Sequence, residues 1–338
     1  MESKKIVIDA MGGDYAPEAP VEGALLALEK DPSLNLVLTG TKEALDRCLQ
    51  GKTYDTNRLE LFYATEVVEN EEHSPVDAIK KKKDSSMAVG LKMVRQKQAD
   101  GFISAGNTGA LLAGATLLTG RIKGVQRPAL ALILPTGETP TLLLDVGANM
   151  DPKPAWLVQF ARMASIYYQK LYGVESPSVM LMNVGVEEGK GNQLAKEAYA
   201  LLKQDSGINF KGNIEAREVM NAGANIVVTE AFSGNVFLKG VEGLAGYIIA
   251  SMKKSLYSSL ITKIGGLLIK PALMGLKNQL DPRSVGGTPL LGVNGAVIKA
   301  HGNSRAEAFV SAIKQCSRFI DTHVNETIEE AFSKSSAD

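Results

Sequence analysis

The sequence predicts an α/β protein with a doubly wound, mostly parallel sheet. Short β-branched runs alternate with longer amphipathic stretches, which is the pattern of strands connected by helices. Glycine makes up 33 of the 338 residues, above the usual share of about 7%. These glycines concentrate just after the β-branched runs. Open α/β sheets bind ligands at the carboxyl ends of their strands, so this placement favours an enzyme or binding protein of that class.

The alternation extends over almost the whole chain. The predicted strands are residues 5–9, 35–39, 59–63, 101–104, 130–134, 141–145, 178–183, 225–229 and 296–300. The clearest predicted helices are residues 17–30, 154–172, 193–204 and 304–332. Neither an internal repeat nor a low-complexity linker interrupts this order, so we expect residues 1–338 to form a single α/β domain. A domain boundary near residues 170–177 is the alternative.

Composition excludes several classes of function. Lys plus Arg and Asp plus Glu both number 37, and this zero formal charge argues against a nucleic-acid partner. Two distant cysteines and three histidines form no metal-binding pattern, so we expect no metal and a reduced, cytoplasmic protein. The longest uncharged apolar windows are too short for a transmembrane helix.

Six glycine-rich loops follow predicted strands and also carry Asp, Asn, Ser or Thr. They are residues 9–14, 104–109, 145–151, 183–192, 233–235 and 301–304. If the strands are parallel, these loops meet at one edge of the sheet and form one cleft. Glycine permits close backbone approach and helix N-termini favour anions, so the cleft should bind an anion. For any single loop, helix capping is the simpler interpretation.

Familiar catalytic motifs are missing from the sequence. It contains no phosphate-binding P-loop, no G-x-G-x-x-G after the first strand, no G-x-S-x-G elbow and no H-E-x-x-H. Neither cysteine lies in a glycine-rich loop, which argues against covalent catalysis. The remaining amides, carboxylates and glycine-flanked Lys190 suit a transfer reaction in which an anionic nucleophile is positioned and no cofactor takes part.

A lysine-rich amphipathic segment covers residues 253–280, with five lysines and no acidic residue. Its apolar side chains would share a helical arc of about 140°, and they are Leu256, Tyr257, Leu260, Ile261, Ile264, Leu267 and Leu268. Lys263 and Lys270 follow the arc's edge, and Pro271 predicts a bend that makes residues 250–282 a helical hairpin. The segment is typical of a helix at an anionic membrane surface and equally of a core or dimer helix.

A second basic block consists of four consecutive lysines at residues 80–83. Such a run is usually a solvated helix face. It could instead dock an acidic partner or phosphate.

Several of these segments resemble the bacterial phosphate acyltransferase family, the acyl-ACP:phosphate acyltransferases. The matching motifs, in chain order, are IDAMGGD at residues 8–14, KKDSSM at 82–87, SAGNTGAL at 104–111, LDVGAN at 144–149, EGKGN at 188–192, GNV at 234–236 and PLLGVNG at 289–295. Together they extend from about residue 5 to residue 320, so the resemblance covers nearly the whole chain.

The resemblance implies transfer of a long-chain acyl group from acyl carrier protein to inorganic phosphate. The acyl phosphate product would then supply a membrane-embedded glycerol-3-phosphate acyltransferase in phospholipid synthesis. Members of this family are cytoplasmic homodimers that associate peripherally with the membrane. Their fold is similar to that of phosphotransacetylase and isocitrate dehydrogenase, with a projecting amphipathic helical pair.

Family resemblance and residue chemistry together suggest roles for the loop residues. Phosphate is already anionic and a thiolate leaves readily, so direct attack needs neither a strong base nor a covalent intermediate. The expected phosphate and oxyanion donors are Gly12, Gly13, Asn107, Thr108, Lys190 and Asn192. The residues expected to hold the loops or orient the lysine are Asp9, Asp14, Asp145 and Asn149. Further expected substrate contacts are Ser233, Asn235, Asn294 and His301.

Two alternatives from other classes remain at this stage. A nicotinamide-dependent dehydrogenase of the isocitrate type would need a carboxylate trio for a metal and a cluster of arginines, and the predicted cleft loops contain no arginine. A non-catalytic membrane scaffold that presents carrier protein would leave the glycine-rich cleft unexplained.

Overall fold

A computed structural model describes residues 4–137, 139–221, 223–280 and 286–334. The strands are β1 (Lys4–Asp9), β2 (Leu34–Gly40), β3 (Leu59–Tyr63), β4 (Gly101–Ser104), β5 (Ala129–Leu134), β6 (Thr141–Leu144), β7 (Ser178–Asn183), β8 (Asn209–Glu215), β9 (Ile226–Val228), β10 (Thr288–Leu291) and β11 (Ala296–Lys299).

Helices connect these strands, as the sequence predicts. They are α1 (Glu18–Lys30), α2 (Lys42–Leu49), α3 (Pro75–Lys81), α4 (Ser86–Arg95), α5 (Thr108–Gly114), α6 (Pro154–Tyr172), α7 (Gln193–Gln204), α8 (Ala216–Val219), α9 (Ala231–Leu256), α10 (Leu260–Leu280), α11 (Ala306–Asp321) and α12 (Val324–Lys334). A π-helical turn, Ala115–Thr119, continues α5.

One eleven-stranded sheet runs through the described residues in the order β3-β2-β1-β4-β11-β10-β5-β6-β9-β7-β8. Buried apolar side chains lie on both of its faces, because helices cover both sides of the sheet. Most neighbouring strands are parallel, and the predicted α/β fold class is confirmed. Three neighbouring pairs near the middle, β11/β10, β10/β5 and β5/β6, are antiparallel.

This reversal changes where the polar loops emerge. Strands β1, β4 and β11 run in one direction, whereas β6, β9 and β7 run in the opposite direction. The prediction that all the glycine-rich loops leave one edge of a parallel sheet is therefore wrong. Residues from both sets of loops nevertheless line one pocket, which extends over the face of the central strand β5.

The lysine-rich segment also differs from its predicted form. The break between its two helices falls at residues 257–259, and Pro271 lies inside α10. Ser259 and Thr262 explain this position, because the Ser259 hydroxyl accepts from the Thr262 N–H at 3.1 Å and the Thr262 hydroxyl accepts from the Ser259 N–H at 3.0 Å. This reciprocal pair resembles a capping box, which starts a new helix. Residues 281 and 282 of the predicted hairpin lie outside the described residues.

Because the helix break precedes α10, the predicted apolar arc is divided. Leu256 belongs to α9, and its side chain lies near Gly266 of α10, so it packs between the two helices. Ile261, Ile264, Leu267 and Leu268 are exposed along α10, beside the exposed Lys263 and Lys270. The side chain of Leu260 lies outside the described residues.

Candidate functional site

The loops after β1, β4 and β11 pack backbone against backbone at one end of the pocket. The N–H of Asp14 donates to the carbonyl of Gly302 at 2.8 Å. A Cβ atom at Gly12 would lie only 2.7 Å from the N atom of Gly106, and Gly13 has a φ of +104° that favours glycine. The glycines of these loops thus allow a close approach that side chains would prevent.

Asp9 stabilises the junction of these loops through hydrogen bonds. Its buried carboxylate accepts hydrogen bonds from the hydroxyls of Ser86 and Ser104, both at 2.7 Å, and from the N–H of Met11 at 3.1 Å. Burial raises the pKa of Asp9, although these hydrogen bonds oppose the shift. Asp9 therefore anchors the loops, and it does not line the pocket.

Lys299, the last residue of β11, lines the pocket directly above this junction. Its ammonium group donates to the carbonyl of Ala105 at 3.2 Å and to the carbonyl of Ala300. Burial lowers the pKa of Lys299 to about 8, while the charges of Asp14 and Asp9 act in the opposite direction. Lys299 is not among the residues predicted from the sequence, although its position at the end of an apolar strand, just before a glycine-rich loop, is a usable signal.

His301 follows Lys299 on the same side of the pocket. Its Nε2 atom lies 3.8 Å from Glu242 Oε1 of α9, and its Nδ1 atom accepts weakly from the N–H of Asn303 at 3.4 Å. Burial, with help from the nearby lysines, lowers the pKa of His301. The imidazole is therefore neutral near pH 7, and the positive charges at this end of the pocket at that pH belong to lysines.

Asn107 and Thr108 also line the pocket, where the β4 loop meets α5. The Asn107 side chain caps α5 by accepting from the N–H of Ala110 at 2.9 Å, and it donates to the carbonyl of Asn70 at 2.9 Å. The capping interpretation therefore holds for Asn107 even though it borders the pocket. Thr108 is exposed beside it.

Asp145 organises the loop after β6. Its buried carboxylate accepts from the backbone N–H groups of Leu130, Gly147 and Ala148 at 3.0–3.2 Å, and burial raises its pKa. Asn149 binds the same carboxylate through its backbone N–H at 2.8 Å and its side chain at 2.7 Å. These bonds shape a loop whose residues 146, 147 and 150 line the pocket.

Another part of the pocket lining is mostly apolar, although Lys239 and Glu242 of α9 also belong to it. Leu130 and Leu132 of β5 belong to this part of the lining, and so does Leu238 of α9. Val146 and Met150 also belong to this part of the lining. The predicted loop at residues 233–235 is wrong, since these residues form part of the first turns of α9, and of its two predicted contacts only Asn235 lines the pocket. The cavity measures about 560 Å³. It has a polar end with Lys299 and a mostly apolar side next to it.

Nine of the fourteen predicted site residues lie outside this pocket lining. Five of them belong to the loops described above, and they are Asp9, Gly12, Gly13, Asp145 and Asn149; the other four are Lys190, Asn192, Ser233 and Asn294. Asn294, in the turn between β10 and β11, donates to the carbonyls of Thr119 and Arg121, both at 3.3 Å. Asn192 caps α7 through the N–H of Ala195 at 2.9 Å. Asn294 thus stabilises a turn and Asn192 stabilises a helix N-terminus. A sequence alone does not distinguish such structural roles from ligand binding.

Ser233 and Lys190 lie outside the lining for different reasons. The Glu230 carboxylate already accepts from the N–H groups of Phe232 and Ser233, at 2.6 and 3.0 Å, so an anion occupies the N-terminus of α9. Lys190 is exposed in the loop after β7. Since β7 and β9 are parallel neighbours, this loop leaves the sheet at the same edge as the connection from β9 to α9.

The pocket lining offers no support for the dehydrogenase alternative. It contains no arginine among the residues that the structure describes. Within residues 4–137, 139–221, 223–280 and 286–334, no group of three His, Cys, Asp or Glu side chains is arranged to hold a metal ion. Over the same residues, no helix has the length and apolarity needed to cross a membrane.

Comparison with known proteins gives a consistent result. A family model described as "Fatty acid synthesis protein" matches residues 4–327. Phosphate acyltransferases from Alkaliphilus oremlandii and Clostridioides difficile are 48% and 49% identical to this chain, over 97% and 98% of it and over 97% and 96% of their own lengths. The crystal structure of a phosphotransacetylase from Streptococcus pyogenes has a TM-score of 0.60 at 17% identity and covers 96% of this chain and 94% of its own. At that identity the likeness concerns the fold alone.

Proposed function

The chain belongs to the phosphate acyltransferase family and is an acyltransferase, and from this premise we propose that it transfers a fatty acyl group from acyl carrier protein to inorganic phosphate. An oxygen of hydrogen phosphate attacks the thioester carbonyl carbon. A C–O bond forms, the C–S bond breaks with its electron pair leaving on sulfur, and the proton of hydrogen phosphate ends on the released thiol. The products are acyl phosphate and free carrier protein, without a covalent enzyme intermediate.

The observation that carries this proposal is the contrast between the two sides of one pocket. A lysine, an amide and glycine-rich backbone border one end, where an anion is favoured. Leucine side chains of β5 and α9 border the other side, where an acyl chain can be shielded from water. A phosphate and a thioester placed side by side would need such a pocket, because the enzyme accelerates the reaction chiefly by orienting the two.

The test is direct. The purified protein is incubated with an acyl carrier protein thioester and phosphate, and acyl phosphate is measured together with free carrier thiol. We expect equal amounts of both products, with no requirement for nicotinamide. Release of free carrier thiol without acyl phosphate would indicate hydrolysis of the thioester. The absence of any reaction, at every acyl-chain length tried, would contradict the proposal.

Basic residues at the end of α3 support docking of the acidic carrier protein. Lys80, Lys81 and Lys83 are exposed at the end of α3, whereas Lys82 is held by the carbonyl of Val67 at 2.9 Å and by Glu72 at 3.4 Å. The start of α3 packs near α5, whose first residues line the pocket. The three free lysines could therefore guide the carrier protein towards the pocket mouth.

The outer face of α9 supports the proposal of a homodimer. Phe232, Val236 and Tyr247 are exposed on one side of this helix, away from the side that carries Leu238 and Glu242 at the pocket. Exposed apolar side chains on one side of a helix favour contact with a second copy of the chain. Sedimentation velocity over a range of concentrations tests it, and a monomer at all of them would contradict it.

The exposed face of α10 supports peripheral attachment to the cytoplasmic side of the membrane. Ile261 and Leu268 are 83% and 76% exposed, and Lys263 and Lys270 border the same face. Apolar side chains flanked by lysines suit an interface that contains anionic lipid. There the acyl phosphate would be released close to the membrane-embedded acyltransferase that consumes it.

Substitution of the α10 face tests this attachment. We expect the double variant Ile264→Asn, Leu268→Asn to weaken binding to phosphatidylglycerol-containing vesicles at least about tenfold. The variant loses the free energy that two apolar side chains gain when they move from water into the membrane interface. The matched control is Leu117→Asn with Leu201→Asn, which removes two exposed leucines elsewhere. Equal co-sedimentation of both variants would contradict insertion of this face.

A further inference from the structure

We propose that Lys299 is the catalytic cation of this enzyme, binding the phosphate nucleophile at the polar end of the pocket. The inference rests on the proposed function, since it names the residue that would hold one of the two substrates. Lys299 does not lie in a glycine-rich loop, and its role comes from where β11 places it in the tertiary structure.

The position of the ammonium group is fixed by the surrounding backbone. The carbonyls of Ala105 and Ala300 accept two of its three N–H donors, and those carbonyls belong to the loops after β4 and β11. One donor remains for a ligand among the described partners. Because Lys299 lines the cavity, that ligand would lie beside Asn107, Thr108 and Gly302.

The electrostatic surroundings leave Lys299 the best placed cation of the pocket. Asp9 and Asp14 face it from the β1 side, and Lys239 faces it from α9. Lys239 is itself paired with Glu242 at 3.0 Å and more than half exposed. His301 is adjacent and neutral near pH 7, because burial lowers its pKa. A dianion entering this end of the pocket would meet the partly desolvated charge of Lys299, where electrostatic attraction is stronger than in water. Asp14 and Lys239 also line the pocket and act on the same dianion in opposite directions.

The charge state adds a measurable signature. With a pKa of about 8 in the folded protein, Lys299 is mostly charged at pH 7 and mostly neutral at pH 9. Phosphate binding and turnover should therefore decline as pH rises through about 8. An arginine at this position stays protonated throughout that range.

The experiment compares Lys299→Met and Lys299→Arg with the native protein. For Lys299→Met we expect kcat/KM for phosphate to fall at least about 30-fold, the range of a lost charged hydrogen bond. The KM for the carrier protein thioester should change little. Lys299→Arg should recover part of the activity and lose the decline near pH 8. Lys314→Met, on an exposed site of α11, is the matched control and should behave as the native protein.

Phosphate binding is measured in parallel by isothermal titration calorimetry with inorganic phosphate alone. Native kcat/KM and phosphate affinity in Lys299→Met would overturn the inference and leave the proposed function intact. Loss of activity in both variants with unchanged phosphate affinity would also overturn it, since the lysine would then act only on the fold. A native protein that binds phosphate through Lys299 but forms no acyl phosphate would sink the proposed function instead.

Discussion

The two walls of the pocket are built on different physical principles. The wall formed by the loops after β1, β4 and β11 consists of backbone packed on backbone, with Gly12 against Gly106 and a lysine on top. The wall formed by β5, α9 and the loop after β6 consists mainly of apolar side chains, although Asn235, Lys239 and Glu242 of α9 also belong to the lining. The first wall depends on the absence of side chains and the second depends on their presence. An added side chain should therefore lower the reaction rate at the first wall and change the substrate selectivity at the second.

The sharpest way to break this contrast is to add a methyl group to the polar wall. In Gly12→Ala the new Cβ would lie 2.7 Å from the Gly106 N atom and 2.8 Å from Ser104 Oγ, so one of the loops must shift. A displacement of about 1 Å at a catalytic site can cost about 100-fold in rate, and we expect a loss of that order in acyl phosphate formation. Steady-state kinetics on the folded variant provides the measurement.

Gly189→Ala is the matched control, because nothing lies within 4 Å of its added Cβ. It belongs to a glycine-rich loop of similar composition, the one after β7. We expect native activity from this variant. Equal losses at both positions would show that glycine in these loops serves chain flexibility and not close packing.

On the apolar wall, the same contrast predicts that a larger side chain changes selectivity and leaves the chemistry intact. Leu238→Trp would fill part of the cavity that Leu130 and Leu132 also line. Excluding two methylenes of a long chain costs about 1.6 kcal/mol, so the preference for long over short acyl thioesters should fall roughly tenfold. Competition between two chain lengths measures it, with Leu201→Trp on exposed α7 as control. An unchanged ratio would place the acyl chain elsewhere.

The smallest effect is expected at the outer rim. Lys190 is exposed outside the pocket lining, so Lys190→Ala should raise the KM for the carrier protein thioester a few-fold through loss of one surface charge, with little change in kcat. The KM for phosphate should stay the same. A large fall in kcat would show that the loop after β7 closes over the substrates during the reaction.

Much of the fold could be predicted because it depends on local patterns. The strand and helix order follows from periodicity, and the structure reproduces the predicted strand at residues 101–104 and the helix at 154–172 to the residue. The start of α10 was also encoded locally, in the Ser259 and Thr262 pair. The predicted break at Pro271 is wrong, since this proline is accommodated within α10.

Site residues were harder to predict because glycine and polar residues after a strand have two uses. Asn107 caps a helix beside the pocket, whereas Asn192 caps one outside it. The two asparagines look alike in sequence. Their difference depends on which strands are neighbours, and that is a long-range property.

By itself, the sequence determined the fold class, the glycine-rich loops and the separation of its charges, because propensity, periodicity and composition act over a few residues. Only the tertiary structure decided that the two halves of the sheet run in opposite directions, that their loops enclose one cavity over β5, and that Lys299 lies in it. Those facts require distant strands to pair, such as β4 and β11, where Gly101 lies beside Ala296, and the free energy of such packing depends on contacts that no local pattern records.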